Sequence, residues 1–338
     1  MKNLEAILDT LFLNKDVQNI AIKIGRGDEV IYQTYRSENQ IDEYTLFDMA
    51  SVSKIICTTT LALIALDKGL IKLDDTVDKF FDCPNEKQNL TIFNLITHTI
   101  GIGHKSLNIK GNTYDNIAEY ILKIDSDIPI GSDVLYSCPG FILLGKILEK
   151  VFKKPLDILF KEYVCAPLKM EHTCFRPTLC DNAVNSNLEP QRKCTVNDYN
   201  CFYLGGVAGN AGVFSNVKDL TKFAKFLLNH GAPLISGDTF NTAIQNHTEN
   251  MSAARGLGYV YVDERYTQTG DLFSIGSIGH CGHTGQSVFV DFKSGLYVII
   301  LSDATISSVK KLGHDDYEAV MKMRQDLHNA IKKDIDTL

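Results

Sequence analysis

A serine hydroxyl is a weak nucleophile near neutral pH and needs a neighbouring base, which a Ser-x-x-Lys pair at a helix start can supply. Four such pairs occur in the chain: Ser51 with Lys54, Ser215 with Lys218, Ser307 with Lys310 and Ser308 with Lys311. The offset of three puts both side chains on one helical face. Chance alone yields about one match in a chain of this length, so the surroundings must choose among the four. Ser215 stands before the amphipathic segment 218–228, where a serine is expected simply as an N-cap. The pairs at 307 and 308 fall in a polar connection after a strand, with no buried helix to desolvate a lysine. Only Ser51 opens a long apolar stretch, which runs to about Leu70. Ser51 is therefore the candidate nucleophile. Lys54 is its candidate base, because burial and the positive end of a helix can lower a lysine pKa until it accepts the serine proton.

The rest of the pattern shows what must hold that pair. The N-terminus carries Glu5 and Asp9 inside an apolar period and reads as an amphipathic helix. Strands over 17–24 and 29–35 flank the turn Gly25-Arg-Gly-Asp28 as a hairpin. From Ser51 onward, Ile55, Ile56, Leu61, Leu63, Ile64 and Leu66 fall on all sides, as in a helix buried in a core. Helical periods then dominate, at 92–97, 115–123, 141–152, 156–164 and 220–228. Strands return at 258–262, 287–292 and 296–301, with Lys293-Ser-Gly295 as a hairpin turn, before a last helix over 315–333. Strands at both ends with helices between predict one sheet built from both termini. The expected division is a discontinuous α/β sheet domain of 1–70 and 251–338, a mostly helical domain of 71–250, and a cleft between them.

Composition excludes several functional classes. The 338 residues can bury a large core. A 44% hydrophobic share and a mean hydropathy of −0.05 belong to an ordinary globular protein. A net charge of −7 with no Lys/Arg run argues against nucleic acid or an anionic membrane as partner and leaves a small-molecule or peptide-like substrate. Wholly apolar runs such as Leu296-Tyr-Val-Ile-Ile-Leu301 fall far short of the ~18 residues of a membrane span. Glu5 and Asp9 break the apolar stretch a secretory signal needs. Nine cysteines, with no Cys-x-x-Cys, indicate neither a disulfide framework nor a zinc ribbon, so a cytoplasmic location is expected. His280, Cys281 and His283 cluster without a carboxylate and do not read as a metal site. Glycines 205, 206, 209 and 212 lack a following Gly-Lys-Ser/Thr and read as tight turns, not a phosphate loop.

The segment Leu46-Phe-Asp-Met-Ala-Ser-Val-Ser-Lys54 resembles the nucleophile segment of the class C β-lactamase-like serine hydrolases, which include penicillin-binding proteins, D-peptidases and esterases. Other segments resemble that family in order. Leu95-Ile-Thr-His-Thr-Ile-Gly101 is similar to its Leu-Leu-Thr-His-Thr-Ser-Gly, and Tyr136-Ser-Cys-Pro-Gly-Phe-Ile-Leu-Leu-Gly145 to its Tyr-Ser-Asn-x-Gly-Tyr-x-Leu-Leu-Gly. Pro167-Leu-Lys-Met170, Gly206-Val-Ala-Gly-Asn-Ala-Gly-Val-Phe-Ser215 and His283-Thr-Gly285 continue the series, so the resemblance spans roughly 17–303. It implies a β-lactamase/transpeptidase-like fold, an antiparallel sheet flanked by helices with a helical domain inserted, and no cofactor.

Residue by residue, the resemblance implies that Ser51 attacks a carbonyl, Lys54 keeps the proton network poised, and Tyr136 shuttles protons to the leaving group and from water. A lone tyrosine before an apolar run would otherwise read as core packing. Beside a cationic Lys54 the Tyr136 pKa is expected to fall. Tyr114-Asp-Asn116 fits Tyr-x-Asn better by letter but lacks the Gly-Phe-Ile-Leu-Leu-Gly sequel. His283, Thr284 and Gly285 should edge the site, with Gly285 letting the backbone approach an acyl group and with the oxyanion between the N–H groups of Ser51 and Gln286. Cys138 replaces the family's Asn or Asp and lacks an amide's paired donor and acceptor. His283 in place of lysine makes the expected carboxylate-binding charge depend on pH. The leading expectation is hydrolysis of an amide, ester or β-lactam carbonyl through acyl-Ser51. The alternative is a non-catalytic or slowly acylated binding or sensor module for cell-wall fragments or β-lactams.

Overall fold

The computed structural model describes residues 1–37, 40–105, 107, 116–178, 182–189, 192 and 194–337. Its strands are β1 (Asn19–Arg26), β2 (Glu29–Ser37), β3 (Phe47–Asp48), β4 (Cys174–Phe175), β5 (Val213–Ser215), β6 (Val260–Tyr261), β7 (Ile278–Cys281), β8 (Ser287–Asp291) and β9 (Leu296–Ser302). Six form an antiparallel sheet in the order β2-β1-β9-β8-β7-β6, so the two ends of the chain do build one sheet. Its central strands are apolar on both faces, which requires cover on both sides. On one face Ile20, Ile22, Ile24, Phe289, Val298 and Ile300 meet Leu4, Leu8 and Leu11 of helix Lys2–Leu13 and Val320, Leu327 and Ile331 of helix Tyr317–Ile335. On the other, Ala21, Val288, Val290, Tyr297, Ile299 and Leu301 join the core around the Ser51 segment. A one-residue slip would exchange the two sets, so register is strongly specified.

The apolar stretch after Ser51 is helical from Ala50 to Asp67 but not regular. It begins as a 3₁₀ turn (Ala50–Val52), widens into a π-type segment (Lys54–Thr59) and continues as α-helix (Thr60–Asp67). Such departures recur at functional sites. By length and hydropathy this stretch would also pass for a membrane span, yet 83% of it is buried inside the protein, as a core helix is.

The helical region contains helices Ile92–Ile96, Ile117–Leu122, Cys138–Phe152, Leu156–Phe160, Tyr199–Tyr203, Val217–Leu228 and Gly237–Ala243. Helix Val217–Leu228 lies on β1, β8 and β9, its Leu220, Phe223 and Leu227 sharing one core with the sheet. Packing therefore runs across the expected boundary at residue 250. β3, β4 and β5 make a second small sheet, with Asp48 opposite Phe214.

Two of the Ser-x-x-Lys readings need correction. Ser215 is not a cap: it ends β5 and its hydroxyl meets that of Thr173, while Asn216 caps the following helix by accepting the Asp219 N–H. Ser307 and Ser308 lie not in a connection but in helix Ala304–Leu312, buried on its inner side. Tyr114 lies outside the described residues.

Candidate active site

Ser51 is placed by a strained turn. Ala50 has φ +44°, in the left-handed region, at a cost of about 1–3 kcal/mol for a residue with a Cβ. The buried Asp48 carboxylate holds it there, accepting from the N–H groups of Ala50 (2.8 Å) and Asn197 (2.6 Å). One helical turn on, Lys54 is wholly buried. Its ammonium donates to Ser51 Oγ (3.1 Å), the Cys138 thiol (3.4 Å) and the Asn210 carbonyl (2.9 Å), which accounts for all three of its protons.

Tyr136 comes from a distant segment. Ser137 N-caps helix Cys138–Phe152 by accepting the Gly140 N–H at 3.1 Å, which explains why this helix starts at Cys138 and not at 141 as expected. The cap leaves Tyr136 just outside the helix with its hydroxyl 2.7 Å from Ser51 Oγ. His98 fixes that position: its Nδ1 accepts the Ser137 N–H at 3.0 Å and its ring lies 4.7 Å from the Tyr136 ring. Ser51, Lys54, Tyr136 and Cys138 are thus brought together.

The charge states differ from the sequence expectation. Burial pulls the Lys54 pKa down, but Cys138 and Tyr136 beside it pull harder, and the net shift is upward. Lys54 is a cation at rest and not a free base. Burial pushes the Tyr136 phenol up to about 12 despite Lys54, so it does not fall as expected and stays protonated. Burial also raises the Cys138 thiol, yet Lys54 and the hydrogen bond from His104 outweigh it and the net shift is downward. Cys138 is only 1% exposed, and its thiol faces the lysine.

The edge after β7 reaches the same turn. Thr284 donates to the Asp48 carbonyl (3.2 Å), and the Gly282 N–H donates to the Gln286 carbonyl (2.8 Å). Gln286 is fixed by its side chain, whose Oε1 shares the single Thr284 hydroxyl proton with the Asp48 carbonyl and whose amide donates to the Ser302 carbonyl at 3.1 Å. Gly285 has φ +113°, and a Cβ there would meet Ser302 Oγ at 2.1 Å. The close approach it permits within the protein is to β9. His283 Nε2 is 2.7 Å from the Asp315 carboxylate and its ring stacks on Tyr317. Its Nε2 is thus already engaged by Asp315.

Sequence reasoning missed Asp48, His98, His104, Asn210, Arg255 and Asp315. Of these, Asp48, His98 and Asn210 carried a signal, as residues inside the Leu46–Lys54, Leu95–Gly101 and Gly206–Ser215 segments, and the other three carried none. Among the described residues no cluster of His, Cys, Asp and Glu could hold a metal ion.

Three buried histidines couple this architecture to pH. Burial, reinforced by Arg255 and Lys54, holds His98 and His280 well below the ordinary histidine range. Burial lowers His328 to about 4, where it bonds the Arg324 carbonyl and Ser287. The unfolded chain binds these protons near pH 6.5 and the native one does not, so their contribution is complete above 6.5 and is lost as pH falls. Asp48, pushed up to about 6 by burial, acts oppositely between 6 and its unfolded value near 3.8. The three histidines outweigh Asp48, so the net effect of lowering the pH below 6.5 is a loss of stability. Urea midpoints measured from pH 7.5 to 4.5 should fall steeply below 6.5; a flat profile would contradict the buried-histidine account.

The chain is similar to known proteins in both sequence and fold. A provisionally named D-alanyl-D-alanine carboxypeptidase of Escherichia coli (strain K12) is 29% identical over 308 residues, covering 78% of this chain and 70% of the relative. Among solved structures, EstCE1, a hydrolase with promiscuous acyltransferase activity, is 18% identical and covers 98% of each chain at a TM-score of 0.78. The octameric penicillin-binding protein homologue from Pyrococcus abyssi is also 18% identical, covering 92% of this chain and 77% of its own at a TM-score of 0.72. These structural likenesses concern the fold. The β-lactamase family profile matches residues 4–320, nearly the whole sequence, and on that match the chain belongs to the β-lactamase family of serine hydrolases.

Proposed function

We propose that this protein hydrolyses the carbonyl bond between D-alanyl-type residues through an acyl-Ser51 intermediate. The observation that carries the reading is the double contact on Ser51 Oγ, 3.1 Å from a buried lysine ammonium and 2.7 Å from a protonated tyrosine. The D-alanyl preference follows the carboxypeptidase name of the E. coli relative.

Because Lys54 is already a cation, the serine proton goes elsewhere. As Ser51 Oγ bonds to the carbonyl carbon, its proton passes to the Tyr136 oxygen while the Tyr136 proton passes to the leaving amine. The C–N bond breaks with no net change on the tyrosine. Lys54 stabilises the negative charge that develops along this path without giving up a proton. Water repeats the relay in the opposite direction and releases Ser51. The N–H groups of Ser51 and Gln286 are the proposed donors to the oxyanion, a role worth about 3–4 kcal/mol for one such donor.

The test is a panel of N-acetyl-D-alanyl-D-alanine, a D-alanyl thiolester, a p-nitrophenyl ester and a chromogenic cephalosporin, read beside intact mass after penicillin. Turnover of the D-alanyl substrates and a penicillin adduct on Ser51 are expected. Turnover of the simple ester alone would replace this reading with an esterase. No turnover and no acyl adduct would leave a binding or sensor module.

A further inference from the structure

We infer that Arg255 is the specificity-determining residue of this site, receiving a carboxylate carried by the substrate beside the bond that is cut. The inference rests on the hydrolase reading above and adds to it the source of anion selectivity.

Arg255 belongs to no motif, yet it is held firmly. Its N–H donates to Thr248 Oγ1 (2.8 Å), its carbonyl accepts from the His247 N–H (2.8 Å), and it bridges Val260 at the start of β6. The following loop presses on the nucleophile's helix. Gly258 has φ +80°, a Cβ there would meet Thr59 Oγ1 at 2.0 Å, and its N–H donates to the Ile96 carbonyl at 2.9 Å. The Arg255 backbone is therefore fixed relative to the nucleophile's helix. Its guanidinium lies 5.9 Å from the centre of the Tyr136 ring.

Beyond the Tyr136 ring, little among the described residues engages this guanidinium. Its Nε and Nη1 are buried without a hydrogen-bond partner, and no ion pair joins Arg255 to a carboxylate among the described residues. A desolvated, unpaired guanidinium is costly, and its planar fork of donors matches a carboxylate. The aromatic and sulfur groups facing it, Tyr136, Tyr266, Cys281 and Tyr317, bring no carboxylate, while Lys54 adds positive charge to the same pocket. The neighbouring histidines cannot balance it either: His98 and His280 are buried and neutral, each with Nε2 unpartnered. His283, the residue from which carboxylate binding was expected, is paired with Asp315. Arg255 is left as the cation with open donors beside Tyr136. An anionic group there would lie next to the residue that protonates the leaving group.

The test uses N-acetyl-D-alanyl-thioglycolate, whose leaving group carries a free carboxylate, and its methyl ester, which does not. The wild-type protein should prefer the acid in kcat/KM by about ten- to hundredfold, as a charge-assisted bidentate contact supplies. Arg255→Gln should erase that preference, chiefly through KM for the acid, and Arg255→Lys should keep part of it. A ratio unchanged in Arg255→Gln would overturn the assignment, as would an equal loss on both substrates. Binding of N-acetyl-D-alanyl-D-alanine to Ser51→Ala and to the Ser51→Ala/Arg255→Gln pair, by calorimetry, separates this inference from the hydrolase reading. If the wild-type protein cleaves neither thiolester, the hydrolase reading fails, and binding lost only with Arg255 would still establish the anion site. Equal binding by both variants would refute it.

Discussion

Ser51→Ala is expected to lower kcat/KM for a D-alanyl thiolester by at least about 10⁴ and to abolish labelling by a fluorophosphonate, with little change in stability. Removing the nucleophile from a unit of this kind leaves only binding and oxyanion contacts to act on the substrate. The hydroxyl is half-buried and its partners keep other contacts, since Lys54 still donates to Cys138 and to the Asn210 carbonyl. Labelling by mass spectrometry also tests the choice among the four Ser-x-x-Lys pairs. The other three serines are engaged elsewhere. Ser215 meets Thr173, Ser307 donates to the Asp303 carboxylate and Ser308 to the Thr305 carbonyl, while Lys218 turns to Tyr44 and Glu43. An adduct surviving in Ser51→Ala would show that the nucleophile is misassigned.

Lys54→Met separates catalysis from stability. The substitution keeps the length of the side chain and removes its charge. Activity should drop by about 10³ or more, because the ammonium is the cation in contact with Ser51 Oγ and nothing else fills that position. Stability should stay within about 2 kcal/mol of the wild-type protein. Burying an ammonium is itself expensive, so its loss offsets the Asn210 carbonyl left without a donor. A variant that unfolds at much lower urea would make Lys54 a structural residue first. A variant retaining a tenth of the activity would contradict its role in stabilising the charge that develops along the proton path.

The sheet was readable from sequence because its central strands alternate between two covered faces, and the hairpin of β1 and β2 has a recognisable turn. The short strands were not. β3, β4 and β5 have two or three residues each, too few to show a period, and exist because of their mutual pairing. β7 was hidden by Gly279 and His280, and the glycine is required: a Cβ there would meet the Val288 carbonyl at 2.3 Å. Ser51 and Lys54 could be chosen from local context, since the apolar helix lies next to them in the chain. Their charge states could not. The groups that set the Lys54 pKa, Cys138 and Tyr136, stand more than eighty residues away and meet it only in the fold. Arg255 had no signal at all, because its significance lies in lacking a partner, which a sequence does not display.

The pairing of β1 with β9 also sets a schedule for synthesis. Ile20 faces Ser302, and Asn19 binds the Asp303 carboxylate across 284 residues. At about 5–20 residues per second, a ribosome needs roughly 15–55 s to supply the second strand after the first. Throughout that interval the apolar Ala50–Asp67 segment is already made while the sheet that covers it is incomplete. The nascent chain must therefore keep its most hydrophobic helix from other chains, by local packing against the helical region or by a chaperone, until its last strands emerge.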